Sequence, residues 1–210
     1  MSLFTNMAFA FSAERPSDLP LPEGAEIVFA GRSNAGKSSA INTLAGKTRL
    51  AFVSKTPGRT QLINFFRLRN GAFLVDLPGY GYADVPEKIR RHWQHALAEY
   101  LTRRRSIRGL VLIMDARRPL TDLDRQMLEW FGPTGNPIHV LLTKADKLTR
   151  AEATQALRAV RDELAPWSDQ VSAQLFSSLK KTGAEEAESV IGGWLGVAGE
   201  DGKQKRNAPG

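Results

Sequence analysis

The segment Gly31-Arg32-Ser33-Asn34-Ala35-Gly36-Lys37-Ser38-Ser39 sets two glycines, a lysine and a hydroxyl at the spacing G-x-x-x-x-G-K-[ST]. A loop of this kind holds phosphate. Gly31 and Gly36 permit turns that a side chain would block, and the successive N–H groups then face inward. A helix starting at Lys37 adds the positive end of its dipole. Lys37 is placed to reach the β- and γ-phosphates of a nucleotide, and the Ser38 hydroxyl to ligate Mg²⁺.

Three further segments fit around such a loop. Asp76-Leu77-Pro78-Gly79 closes an apolar run. A carboxylate there can hold Mg²⁺ through a water, and the Gly79 N–H can meet a γ-phosphate because no side chain keeps the backbone away. Thr143-Lys144-Ala145-Asp146 closes another run. The Asp146 carboxylate can accept from both N1–H and the 2-amino group of guanine, a donor pair that adenine lacks, while the Lys144 stem can lie along the base. Thr143 stands where this motif usually carries Asn, which leaves one loop-fixing hydrogen bond open. Phe176-Ser177-Ser178 offers small residues whose N–H groups can meet the guanine oxygen. Thr56-Pro57-Gly58-Arg59-Thr60-Gln61, with Leu62 after it, reads as a loop. A nucleotide switch needs a hydroxyl there that reaches Mg²⁺ when the γ-phosphate is present, and Thr56 and Thr60 both qualify.

The elements that must position these loops alternate in kind. Strands are predicted at 26–30, 64–68, 72–76, 110–115 and 138–143, with a last strand at 174–177. The fourth and fifth are continuous apolar runs that suit strands buried on both faces of a parallel sheet. Arg69-Asn70-Gly71 reads as the turn of a hairpin, which makes one strand antiparallel. Helices are predicted at 37–44, 87–104, 149–164 and 184–195, the third opened by the capping pair Thr149 and Glu152. In 87–104, Ile89, Trp93, Ala96 and Tyr100 share a face at helical spacing, a core pattern first and a base-stacking one second. The expected architecture is α/β: a mostly parallel six-stranded sheet with helices on both faces. Residues 1–23 are expected to form a mobile or docking arm, 24–197 the domain, and 198–210 a disordered basic tail.

Composition bounds the rest. The 210 residues include no cysteine, which excludes thiol catalysis, disulfides and cysteine-ligated metals. No apolar run approaches the roughly 18–20 residues of a membrane span. Residues 1–11 lack the basic start of a signal peptide, so a cytoplasmic protein without membrane contact is expected. The net charge of +7 favours polyanionic partners. Five of those charges fall in residues 87–108, where Lys88, Arg90, Arg91, Arg103, Arg104, Arg105 and Arg108 stand against Glu87 and Glu99, and Lys88–Arg108 is the candidate contact. A stripe of this kind is an electrostatic footprint for RNA, and otherwise a solvated helix face. His92 and His95 have no evident co-ligands.

The motifs GRSNAGKSS, TPGRTQ, NFF (64–66), DLPGYGYA (76–83), TKAD and SSLKKTG (177–183) together resemble the EngB (YihA/YsxC) GTPases, over roughly residues 24–195. The resemblance implies a Ras-like P-loop fold, GTP/GDP binding, Mg²⁺-dependent GTP hydrolysis, and a role in large ribosomal subunit assembly with an effect on septation. The implied partners are the subunit precursor and its rRNA. A monomer is expected. The resemblance assigns the switch threonine to Thr60, so Ser38, Thr60 and Asp76 become the metal set and Lys37, Thr60 and Gly79 the catalytic one. Ras-like proteins orient the attacking water with a Gln after D-x-x-G, and Tyr80 occupies that place here. Slow intrinsic turnover and a supplied activator follow. Asn34 matches the position through which related GTPases bind K⁺. Two readings compete with the GTPase: a P-loop ATPase or small-molecule kinase, and an RNA-binding protein that uses nucleotide as a structural cofactor.

Overall fold

The structure, a computed structural model, describes residues 2–20, 23–51, 62–81, 87–167 and 169–197, with 87–94 as backbone. The switch residues Thr56, Gly58, Arg59, Thr60 and Gln61 and the tail 198–210 lie outside the described residues.

Among the described residues, seven strands and five helices follow in the order β1 Ala8–Ala13, β2 Glu26–Gly31, α1 Lys37–Leu44, β3 Ile63–Arg67, β4 Phe73–Asp76, α2 Glu87–Arg103, β5 Ile107–Asp115, α3 Asp122–Phe131, β6 Ile138–Thr143, α4 Arg150–Leu164, β7 Val171–Leu175 and α5 Ala184–Trp194. The sheet runs in the order β1-β3-β4-β2-β5-β6-β7. β3 pairs antiparallel with both its neighbours, and the other pairings are parallel. The one reversed strand follows from the expected hairpin, whose turn closes through Leu68 N–H to Ala72 O (2.7 Å) and Gly71 at φ +85°.

The count of six strands is corrected to seven. The seventh comes from the segment expected to be a mobile or docking arm. Its Phe11 stacks on Phe65 at 4.5 Å, and Ser12 Oγ donates to Asn64 Oδ1 at 2.9 Å, so apolar contact and a cross-strand bond hold it as an edge strand. The last strand lies at Val171–Leu175, earlier than expected, because Phe176 and Ser177 are already bent into the loop that follows. The sequence reading also missed α3, which opens with a capping box in which Asp124 takes the place of the usual Glu or Gln.

Strand alternation splits the core into two layers. In β5, Leu110, Leu112 and Met114 face one layer, while Val111 and Ile113 face the other. β2 divides the same way between Val28 and Ala30 on one side and Ile27 and Phe29 on the other. The first layer takes in side chains of α2, α3 and α4, and the second those of α1 and α5 together with Leu3, Phe4 and Met7. Helices on both faces leave the carboxyl edge of the parallel strands as the place where loops can gather around a ligand.

Candidate functional site

β2 ends at Gly31 and α1 begins at Lys37, so the phosphate loop is a strand-to-helix turn on the sheet's carboxyl edge. Its bends are at Asn34 (φ +62°) and Gly36 (φ +103°), the latter being the N-cap of α1. Gly31 is packed tightly: a Cβ there would sit 2.8 Å from Ile113 O. Arg32, Ser33, Lys37, Ser38 and Ser39 are half-buried along the loop and the first turn of α1, Ala35 is buried, and Asn34 is exposed at its tip.

Asp76 ends β4 beside this loop, and its carboxylate is ion-paired with Lys37. Both side chains are about nine-tenths buried. Leu77 is buried and Pro78 half-buried. Gly79 lies so close to the phosphate loop that an added Cβ would be 3.3 Å from Ser33 N. Tyr80 continues the contact, taking a hydrogen bond from Ser33 N (2.8 Å) and giving one to Gly31 O (3.3 Å). The D-x-x-G segment is thus laid along the loop, as its spacing predicts.

The base end is built from β6 and β7. Thr143, the last residue of β6, donates its hydroxyl to Ala35 O of the phosphate loop, with Met114 O 3.1 Å away. The open question about this position is answered: threonine supplies the bond that fixes the loop. Lys144 adopts φ +58° and donates to Asn34 O (2.6 Å) and to Asp115 Oδ2 (2.9 Å). Two neighbouring residues therefore tie the base loop to the phosphate loop. Ala145 and Asp146 lie in the short 3-10 turn that follows. Asp146 Oδ1 accepts from Ser177 Oγ at 2.6 Å, and that hydrogen bond holds its carboxyl below the usual range. Phe176 is buried; its N–H donates to Leu142 O (2.8 Å) and its carbonyl accepts from Ala145 N (3.2 Å), so the two base loops are stitched together. Ser178 and Leu62 are half-buried.

Three residues of this site were missed. Asp115, at the end of β5, receives Lys144 and two bonds from Arg117 (2.9 and 2.6 Å). Burial opposes its ionisation, but those hydrogen bonds outweigh it and hold the carboxyl far below the usual range. Its signal was its place at a strand's carboxyl end, shared with Asp76. Gln174 accepts from His139 Nε2 (2.7 Å) and donates to Gly183 O (2.7 Å), bracing the far end of the base loop. With Gln174 accepting, His139 keeps its proton on Nε2 and takes the Ser172 hydroxyl at Nδ1 (2.7 Å); burial pushes this imidazole down. Asp124 is the third. Gln174 carries no local pattern, and Asp124 only that of a helix cap, which does not reveal its contact with Tyr80.

The basic stripe is narrower than its sequence. Arg104 is consumed by Glu26, with Nη2 to Oε1 at 2.7 Å and Nε to the same oxygen at 3.0 Å, and Tyr100 OH donates to Oε2 at 2.8 Å. Tyr100 is core, as its spacing indicates. Arg103 pairs with Glu99 (2.8 Å) on the surface, and Arg105 and Arg108 are exposed. The side chains of Lys88, Arg90 and Arg91 lie outside the described residues.

Among the described residues, no three or more His, Cys, Asp and Glu side chains gather to hold a metal by themselves. A family model described as "50S ribosome-binding GTPase" matches residues 26–144. The "Probable GTP-binding protein EngB" of Azoarcus sp. strain BH72 is 67% identical over 209 residues, covering 99% of this chain and all of the relative. Its counterpart in Methylobacillus flagellatus is 68% identical over 196 residues, covering 93% of this chain and 94% of the relative. A crystal structure of a probable GTP-binding protein engB has a TM-score of 0.67 at 22% identity, covering 81% of this chain and 98% of that one. Era in complex with MgGDPNP and a 16S ribosomal RNA fragment has a TM-score of 0.63 at 19% identity, covering 81% of this chain and 56% of that one. At those identities the two structures speak for the fold, which is Ras-like. No helix among the described residues is long and apolar enough to cross a membrane. Sequence relatives and site geometry agree: the chain belongs to the EngB family of GTP-binding proteins and is a GTP hydrolase.

Proposed function

We propose that the chain is a GTP-driven switch in the assembly of the large ribosomal subunit, working as a cytoplasmic monomer, with normal septation depending on that work. The observation that carries the nucleotide reading is the double tie of the base loop to the phosphate loop, Thr143 to Ala35 O and Lys144 to Asn34 O. It supports a reading in which the guanine loop and the phosphate loop share one frame. In this reading Gly31–Ser39 cradle the phosphates, Lys37 neutralises them, and Asp146 selects guanine while Ser177 holds its carboxylate in place. Ser38 and Asp76, with Thr60 from the switch, are hard oxygen donors suited to Mg²⁺, which supplies charge neutralisation on the β- and γ-phosphates when bound. Asn34 is the candidate K⁺ contact.

The description of the family model that matches residues 26–144 supports the ribosomal reading. The proposed RNA contact is the stretch Lys88–Arg108 without Arg104. Tyr80 donates its hydroxyl to Asp124 (3.2 Å), which supports slow intrinsic turnover and an activator supplied by the particle.

Asp146→Asn tests the nucleotide part: calorimetry should show preference moving from guanine to xanthine nucleotides, and unchanged GDP affinity would defeat it. Sedimentation with purified ribosomal particles tests the rest. Binding should be stronger with a non-hydrolysable GTP analogue than with GDP, and a double reversal, Arg103→Glu with Arg105→Glu, should weaken it while sparing nucleotide affinity. Equal sedimentation in every arm would refute the ribosomal role.

A further inference from the structure

Three side chains that the nucleotide motifs leave unused meet at one carboxylate. Asp124, in the first turn of α3, is fully buried. Its Oδ1 accepts the Tyr80 hydroxyl at 3.2 Å. Its Oδ2 accepts from Thr121 N (3.0 Å) and Thr121 Oγ1 (2.8 Å), and lies 3.5 Å from Arg32 Nε. That Arg32 nitrogen is itself buried and makes no hydrogen bond, while the same guanidinium donates through Nη2 to Arg118 O at 3.3 Å. Arg32 belongs to the phosphate loop and Tyr80 follows Gly79 directly. The two residues also form a backbone bridge.

A capping carboxylate needs to serve only its own helix end, and a buried charge is costly unless partners compensate it. This one spends an oxygen on a residue 44 positions upstream and faces a cation from the nucleotide loop. Burial and then the adjacent carboxylate push the Tyr80 hydroxyl well above its ordinary range, so it remains a donor.

We propose that Asp124 is a positioning residue for GTP hydrolysis: by holding Tyr80 and Arg32 from α3, it sets how Gly79 lies against the phosphate loop. The proposal rests on the reading of Gly79 as the γ-phosphate contact. Asp124 touches no substrate. It acts where GTP differs from GDP, so its loss acts on the triphosphate and leaves the diphosphate alone. It also makes α3 the element through which a particle bound on that side can alter the γ-phosphate contact.

The test compares the full chain with Tyr80→Phe, Asp124→Asn, their double variant and Gly79→Ala. Tyr80→Phe removes one hydroxyl and keeps the ring, which guards against a fold defect. Readouts are GDP affinity, affinity for a non-hydrolysable GTP analogue, and kcat against KM. Both single variants should keep GDP affinity within about twofold and lose about tenfold in analogue affinity and kcat. The double variant should be no worse than the worse single, as expected of one shared contact. If Gly79→Ala is damaged while Tyr80→Phe and Asp124→Asn are not, this proposal falls alone. If Gly79→Ala is also undamaged, the γ-phosphate reading falls with it. Equal losses for GDP and analogue would mark a merely structural role and overturn the proposal.

Discussion

The two ends of the nucleotide site are held by different chemistry. The phosphate end relies on opposite charges: Lys37 on Asp76, and Arg32 facing Asp124. The base end sets one charged cluster, Lys144 and Arg117 on Asp115, beside contacts that each have a neutral partner: Ser177 on Asp146, Thr143 on Ala35 O, and Gln174 between His139 and Gly183. In the proposed function a triphosphate and its cation would compete for Lys37 and Asp76, and the phosphate end would exchange partners on binding. The base end can receive guanine with its framework intact. A switch needs one end that rearranges and one that does not, and charge pairs in a low-dielectric site give the larger energy change when partners are swapped.

Removing Lys37 strikes that contrast hardest. Lys37→Met leaves the buried Asp76 carboxylate without its cation. The nucleotide-free protein should lose about 3–5 kcal/mol of stability by denaturant titration, and GTP turnover should vanish. A loss under about 1 kcal/mol would mean that the pair contributes no more than an exposed one. Thr143→Val, a change of similar shape, removes the strut between the two ends. It should cost about 1–3 kcal/mol and weaken GDP by roughly tenfold in calorimetry, because a loop carbonyl loses its donor. An effect as large as that of Lys37→Met would erase the distinction between charged and neutral ends.

These contrasts were partly legible beforehand. The placement of Gly36, Lys37, Asp76 and Asp146 was readable because each sits in a short backbone pattern whose geometry is local. Asp124 and Gln174 were not, because their partners Tyr80, His139 and Gly183 are brought together by the sheet rather than by spacing. The missed helix α3 did carry a signal: Leu123, Met127 and Trp130 recur at helical spacing behind the variant box Thr121-x-x-Asp124. β1 was harder, since its alternating Ala and Phe give no polar face and its partner strand begins some fifty residues later. Arg104 misled for the opposite reason: a composition count cannot see that Glu26, in the sheet, has already claimed it.

A third prediction keeps to the neutral end. Ser177→Ala removes the hydroxyl that holds the Asp146 carboxylate. GDP affinity should fall by several-fold, with a stability loss of about 1 kcal/mol, smaller than at Thr143 because Lys147 Nζ, 3.9 Å away, still faces the carboxylate. A shift of guanine preference without loss of affinity would contradict the role given to it.

The mildest effect is on pH. His139 is held neutral by burial, so its folded pKa lies below the unfolded value, and the unfolded state binds more protons between the two. Its contribution is complete above the unfolded value near 6.5 and is lost as pH falls toward the folded one. Melting temperature should therefore rise from pH 5.5 to 7.5, and His139→Gln should flatten that slope while leaving turnover at pH 7.5 nearly unchanged. A slope that survives the substitution would place the titrating group elsewhere.

Residues 3–7 close onto α5: the Leu3 amide donates to Glu188 Oε1 across 185 positions, and Phe4 and Met7 are buried in the layer that includes Ile191. During synthesis this apolar segment must wait for the 185 positions that separate Leu3 from Glu188 to emerge before it can dock. At about 5–20 residues per second, that is an interval on the order of ten to forty seconds. A nascent chain interrupted before Ala184 would carry those side chains uncovered, which makes the order of emergence a hazard that chaperones must cover.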